Sequence, residues 1–151
     1  MDGDDSGGAH ELSESARQWF ADLSIIDHYC ESAPEYAGRW TEDNGRSYVV
    51  AFTRDIELLL GQLQRLLSDP SMVRAVHFRY SYQHLLEVRD RIPSILGTTD
   101  GLAAWGPDVK GNCVVVSALP EHFVEIRRIL MATNPNDVRV EVGNPVFPAE
   151  T

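Results

Sequence analysis

His28 and Cys30 stand two residues apart, flanked by Asp27 and Glu31. A thiol beside an imidazole can be an activated nucleophile, and the same pair makes half of a zinc site. A zinc site needs a second ligand pair at matching spacing, and His10, His77, His84 and His122 supply none. The plainer reading, a connector leaving a helix, is the one expected here. His77 falls on an extended run. His84 falls in the first turn of a helix, where the positive end of the helix dipole disfavours a charged ring, so a neutral structural role is expected. HExxH, GxSxG and the GxxxxGK[ST] phosphate loop are missing from the chain. No catalytic residue, metal ligand or cofactor is therefore assigned.

Three other groups of residues have chemical potential. Gly3-Asp4-Asp5-Ser6-Gly7-Gly8 echoes the sequence around a trypsin-like nucleophile, with an extra Asp. It lies in an acidic stretch before any periodic segment and is read as coincidence. Arg74, Arg79, Arg89, Arg91, Arg127, Arg128 and Arg139 could form a cationic patch, or lie on exposed faces paired with nearby Glu and Asp. The second reading is expected, because such surface pairs are common and individually weak. Trp40 and Trp105 could be exposed binding aromatics, but at matched hairpin positions they are expected to plug the core. Cys30 and Cys113 form no CxxC and are expected as buried free thiols, a single disulfide being the alternative.

Composition narrows the classes. The net charge of −10 argues against non-specific nucleic-acid binding, which needs a basic surface. Lys110 is the only lysine. No run of eighteen apolar residues exists, so no membrane span is expected, and no signal peptide is visible. Residues 1–12 carry Asp2, Asp4, Asp5 and Glu11 with no Lys or Arg, and read as a disordered acidic tail.

The elements that would position these residues follow from periodicity. Leu12, Ala16, Trp19, Phe20, Leu23 and Ile26 recur at helical spacing, predicting a helix over 13–27 with Ser13 as N-cap and a connector over 28–36. Runs 37–42 and 47–53 flank Asn44-Gly45, a hairpin signal because both residues tolerate positive φ. Ile56, Leu59, Leu60, Leu63, Leu66 and Leu67 give a second helix, stopped near Asp69-Pro70. Residues 72–80 read as a strand. Ser81 caps a helix carrying Leu85, Val88 and Ile92, which Pro93 should end or kink. Runs 102–109 and 112–118 make a hairpin around Lys110-Gly111. Pro120 opens a helix carrying Phe123, Ile126, Ile129 and Leu130, and 137–143 is a last strand.

The order is α-β-β-α-β, twice. At a shift of 65 residues Trp40 meets Trp105, Asp43 meets Asp108 and Val49-Val50 meets Val114-Val115. Pro70 likewise meets Pro135, and Val73-Arg74 meets Val138-Arg139. An α+β fold of two tandem units is expected, residues 13–80 and 81–145, with a tail at 146–151. Each unit should hold a small mixed or antiparallel sheet covered by helices. With the strand at 72–80, the second half reads β-α-β-β-α-β, a split ferredoxin-like order.

The repeated unit also carries recognisable wording. Leu102-Ala103-Ala104-Trp105-Gly106-Pro107-Asp108-Val109, then Asn112-Cys113-Val114-Val115-Val116, resembles the pro-region of secreted actinobacterial serine proteases of the α-lytic protease and streptogrisin type. That family has Ser-Trp-aromatic-Val-Asp followed by Asn-x-Val-Val-Val. Arg79-Tyr80-Ser81 with Leu85 is similar to its Arg-Tyr-Ser-x-x-Glu-Leu, and 37–53 to its earlier hairpin. The resemblance covers about 36–143. His84 replaces the usual Glu, leaving the capping box incomplete, Gly106-Pro107 replaces an aromatic-Val pair, and no protease domain follows in the chain.

The resemblance implies a non-enzymatic folding assistant and inhibitor of a serine protease, which places a sheet edge against the enzyme and a tail in its active site. Carried over, it points to Val138, Val140 and Val142 as the edge strand and Asn144, Pro145, Val146 and Phe147 as the tail. The expected partner is a protein, such as a trypsin-like serine protease, with no nucleic acid, membrane or cofactor. Two alternatives stand beside it. One is a regulatory or interaction domain, in the cytoplasm or in a larger protein, that kept the fold without the protease or pairs with itself through a strand edge. The other is a small ligand-binding or enzymatic ferredoxin-like protein. The absence of a signal peptide suggests the cytoplasm; the resemblance, with a longer parent chain, suggests secretion.

Overall fold

Local signals start most of the elements. The computed structural model describes residues 13–143. Ser13 Oγ accepts from the Ala16 N–H at 3.0 Å and opens α1 (Glu14–Ser32). The helix runs past the expected end, so the residues read as a connector, His28 to Ser32, are helical. Ile26 and Cys30, four apart, are both buried, and their shared face draws the helix on. β1 (Tyr36–Glu42) and β2 (Ser47–Phe52) join through Asp43, Asn44 and Gly45, all at positive φ. α2 (Ile56–Leu66) follows, and a short 3₁₀ turn at Pro70–Met72 leads into β3 (Val73–His77).

The second unit repeats the sequence of elements. Ser81 Oγ accepts from the His84 N–H at 3.1 Å and opens α3 (Tyr82–Leu96). Pro93 does not end this helix. It continues to Gly97, whose φ of 78° makes the C-cap, because Ile95 and Leu96 still pack on the second core. β4 (Leu102–Asp108), β5 (Cys113–Ala118), α4 (Phe123–Thr133) and β6 (Val138–Val142) complete the chain.

The strands form two sheets, ordered β1-β2-β3 and β4-β5-β6. In each, the hairpin is antiparallel and the third strand is parallel to the second. The two α-β-β-α-β units are thus a true structural repeat of α+β type. The order β3-α3-β4-β5-α4-β6 is present along the chain, but β3 pairs with β2, so the second sheet keeps three strands. Each unit has its own core. Ile26, Phe52, Leu63 and Met72 belong to the first, and Leu85, Ile92, Val116 and Leu130 to the second. Among the described residues no helix is long and apolar enough to cross a membrane.

Pairing register refines the repeat. At the third strands the shift of 65 holds: Val73 and Val138 pair with Tyr48 and Val114. In the hairpins the match lies one residue further on. Tyr36 pairs with Phe52, and Leu102 with Ala118; Trp40 pairs with Val49, but Trp105 with Val116. A one-residue slip turns a side chain to the other face of a sheet. Trp105 therefore packs against the second core, while Trp40 lies on the back of the first sheet. The expectation of two equivalent core tryptophans is corrected accordingly.

The back of the first sheet is covered by Phe78 and by residues of the second unit. Val49 and Ala51 are fully buried there. Phe78 stacks on Trp40, with ring centroids 5.6 Å apart, and Lys110 Nζ sits 5.7 Å from the Trp40 ring centre. Val109, at the tip of the second hairpin, lies where a Cβ on Gly38 would come within 2.6 Å of its Cγ1. Gly38 has φ of 147°, so both its backbone and its surroundings demand glycine. Gly38→Ala should cost about 2–4 kcal/mol, backbone strain plus overpacking. Gly45→Ala, at φ 83° with open space around it, should cost only about 1 kcal/mol. Urea unfolding of both variants checks this, and equal losses would show that Val109 does not seat on Gly38.

Candidate functional site: a free strand edge and a cleft between units

Among the described residues β6 is paired on one side only. Val114 N–H donates to the Asp137 carbonyl at 2.8 Å, and Gly143 N–H donates to the Ala118 carbonyl at 2.7 Å. Along a parallel ladder such bonds alternate, so the odd-numbered residues of β6 turn their main chain toward β5. Val138, Val140 and Val142 turn their N–H and C=O groups to the free edge. Their side chains lie on the helix-covered face. Val138 is buried, Val140 packs against the second core, and Val142 is 55% exposed. What these valines offer a partner is therefore chiefly main chain. Asn144, Pro145, Val146 and Phe147 lie outside the described residues.

The opposite face of the same edge is charged. Arg139 donates to Asp108 Oδ2 at 3.0 Å and to Glu141 Oε2 at 3.3 Å. The first unit repeats the cross-sheet pair, Arg74 donating to Glu42 Oε1 at 2.8 Å. Arg89 pairs with Asp90 and Arg128 with Glu125, which bears out paired surface arginines for these four positions. At the other edge of the second sheet, Pro107 in β4 lacks a main-chain donor, which makes that edge the poorer template.

A cleft of about 1000 Å³ opens between the units. Tyr36, Arg39 and Tyr48 line it from the first sheet, and Tyr82, His84 and Glu87 from the start of α3. The Tyr36 and Tyr82 rings meet across it at 5.7 Å. Arg39 is already engaged: it donates to the Tyr36 hydroxyl at 2.7 Å and pairs with Asp27 at 3.1 Å. Burial pushes the Tyr36 phenol up to about 12, with Arg39 pulling the other way.

His28 and Cys30 do not converge. Cys30 is 1% exposed, in the first core, whereas His28 lines a small apolar groove with Ile25, Tyr29 and Leu66. Burial pushes the Cys30 thiol up to about 12, against the lowering influence of Arg39, so it is a poor nucleophile. Cys30 and Cys113 are free and buried, as expected. No group of three or more His, Cys, Asp and Glu that could hold a metal ion occurs among the described residues.

Several paired groups were not legible beforehand. His84 Nε2 lies 2.8 Å from Asp137 Oδ2, and its ring stacks on Tyr80. Asn112 accepts from the Tyr80 N–H and donates to the Tyr80 carbonyl, each at 2.8 Å. Asp22, 1% exposed, accepts from the N–H groups of Ser68 and Asp69 at 2.9 and 3.2 Å. All three join residues more than thirty positions apart, and no local spacing announces them. Comparison with protein-family models found no match, and comparison with curated proteins found none either.

The Cys30 environment gives a pH dependence. The unfolded thiol titrates near the usual 9.0, and the folded one near 12. As pH rises above 9.0 the unfolded state loses its proton first, so stability is fully present below 9.0 and falls as pH climbs toward 12. Tyr36 acts with the same sign. Urea unfolding across that range should show this decline, and Cys30→Ala should flatten it. A thiol reagent near neutral pH should label Cys30 only after unfolding; rapid labelling of the native chain would contradict its burial.

Proposed function

We propose that this is a non-enzymatic protein-binding domain that acts as a protease pro-region does, offering the β6 edge to an extended segment of a serine protease. The free edge, with the main chain of Val138, Val140 and Val142 turned outward, is the observation that carries this reading. Strand addition to such an edge gives affinity through main-chain bonds and leaves selectivity to alternate side chains. The wording around Trp105 and Val114–Val116 supplies the kind of partner. The residues after Gly143 would supply the tail that the resemblance calls for. Arg139 and Glu141 flank the edge on its open face and would contact side chains of the incoming segment.

The test is enzymatic. The chain is mixed with several trypsin-like actinobacterial proteases, native and denatured. Inhibition of the native enzymes, or a higher yield of refolded activity, is expected with at least one, and truncation after Gly143 should weaken inhibition by about tenfold or more. If neither effect appears with any of them, the proposal fails.

A further inference from the structure

We infer that the β6 edge also pairs with itself, two copies of this chain joining antiparallel about Val140 to make one continuous sheet of their second units. The strand reads Val138-Arg139-Val140-Glu141-Val142. Turned end for end about Val140, it sets Arg139 opposite Glu141 of the other copy, and Glu141 opposite Arg139. Val138 then meets Val142. The sequence is its own charge complement in that register and in no neighbouring one. Centring on Arg139 would oppose two arginines, and centring on Glu141 two glutamates.

The main chain agrees with the same register. Val138, Val140 and Val142 are the residues whose N–H and C=O groups point away from β5. In an antiparallel ladder centred on Val140 those residues form the pairs that exchange both bonds. Arg139 and Glu141 then fall in the intervening pairs, where side chains across the ladder are closer. Here Arg139 reaches back over β5 to Asp108, at 3.0 Å, and to the Cys113 sulfur, at 3.4 Å; in the dimer it turns outward to the Glu141 of the other copy. On the helix-covered face Val142, now 55% exposed, gains a valine neighbour.

The equivalent edge of the first unit provides a contrast. β3 reads Val73-Arg74-Ala75-Val76-His77. Turned about Ala75 it sets Arg74 opposite Val76, with no charge to match. The contact is isologous and closes as a dimer. It uses the edge that the proposed protease segment would use, so self-pairing would protect the strand from non-specific association and compete with the enzyme.

Sedimentation equilibrium of the full chain at rising concentration tests this. A monomer–dimer equilibrium is expected. Glu141→Arg and Arg139→Glu should each weaken it by about tenfold or more, since two facing pairs turn from attractive to repulsive. Mixing the two variants should restore a dimer, because each then carries the charges the other lacks. Val140→Pro removes an outward N–H that makes no internal bond, so it should abolish the dimer with circular dichroism unchanged. A wild-type chain that stays monomeric throughout would overturn the inference, as would a dimer indifferent to these changes. Neither result bears on the protease reading, which inhibition decides separately.

Discussion

The seating of the second hairpin's tip on the back of the first sheet is the contact on which the arrangement depends. A three-stranded sheet has two faces, and the helices α1 and α2 cover one of them. Val49 and Ala51 are buried on the other face, where Val109 packs on Gly38 and Phe78 and Lys110 pack on Trp40. Asn112 holds the joint by a different means. β3 ends at His77, so the N–H and C=O of Tyr80 have no ladder to join. The Asn112 amide meets both, as a strand neighbour would, and avoids the cost of unpaired main-chain groups at a partly buried place. The same joint sets the width of the cleft, because the first turn of α3 follows Tyr80 directly.

The joint also makes the two copies of one unit unequal. The residue matching Trp40 in the second hairpin is Gly106, and Val49 and Ala51 correspond to Val115 and Ser117. The first unit spends its back face inside the molecule, so that face is aromatic and aliphatic. Among the described residues no hairpin covers the second unit's back face, which carries Ser117, Arg139 and Glu141 instead. One topology thus serves as a buried support and then as an exposed surface, and the residue types follow the burial.

Much of the chain was legible because its signals are local. Ser13 and Ser81 cap helices, and Asn44-Gly45 turns a hairpin, through bonds that span three or four residues. Three features were less legible, the first two because tertiary burial outweighed a local rule. The helix α1 continues through His28 because Cys30 belongs to the apolar face begun by Ile26, although its type suggests chemistry. α3 passes Pro93 because Ile92, Ile95 and Leu96 gain burial that offsets the roughly 3 kcal/mol a helical proline costs. The tryptophans align in sequence yet face opposite ways, because identity at a shift of 65 does not fix the pairing register within a hairpin. Of the candidate site, the strand over 137–143 was legible from its residues, while its place at an edge entered only through the resemblance; the cleft was not legible, since it arises from elements that meet only through the joint.

An edge strand rich in valine is a hazard unless something limits what it pairs with. β6 has three valines whose side chains lie on the helix-covered face and whose main chain is free, so hydrophobic content does not by itself expose it. Its control lies in the two residues between them. Arg139 is held by Asp108 from across the sheet, which draws its guanidinium inward over the back of β5. Glu141 stands beside it as the opposite charge. An incoming strand must therefore meet a cation and an anion in fixed order, and a strand with the wrong order meets like charges at close range. β3 has the arginine, held by Glu42 in the same way, but Val76 where β6 has Glu141. If β6 takes up a partner strand as proposed, Glu141 would turn a repeated structural ion pair into a means of choosing that strand, in the unit whose back face the described residues leave uncovered.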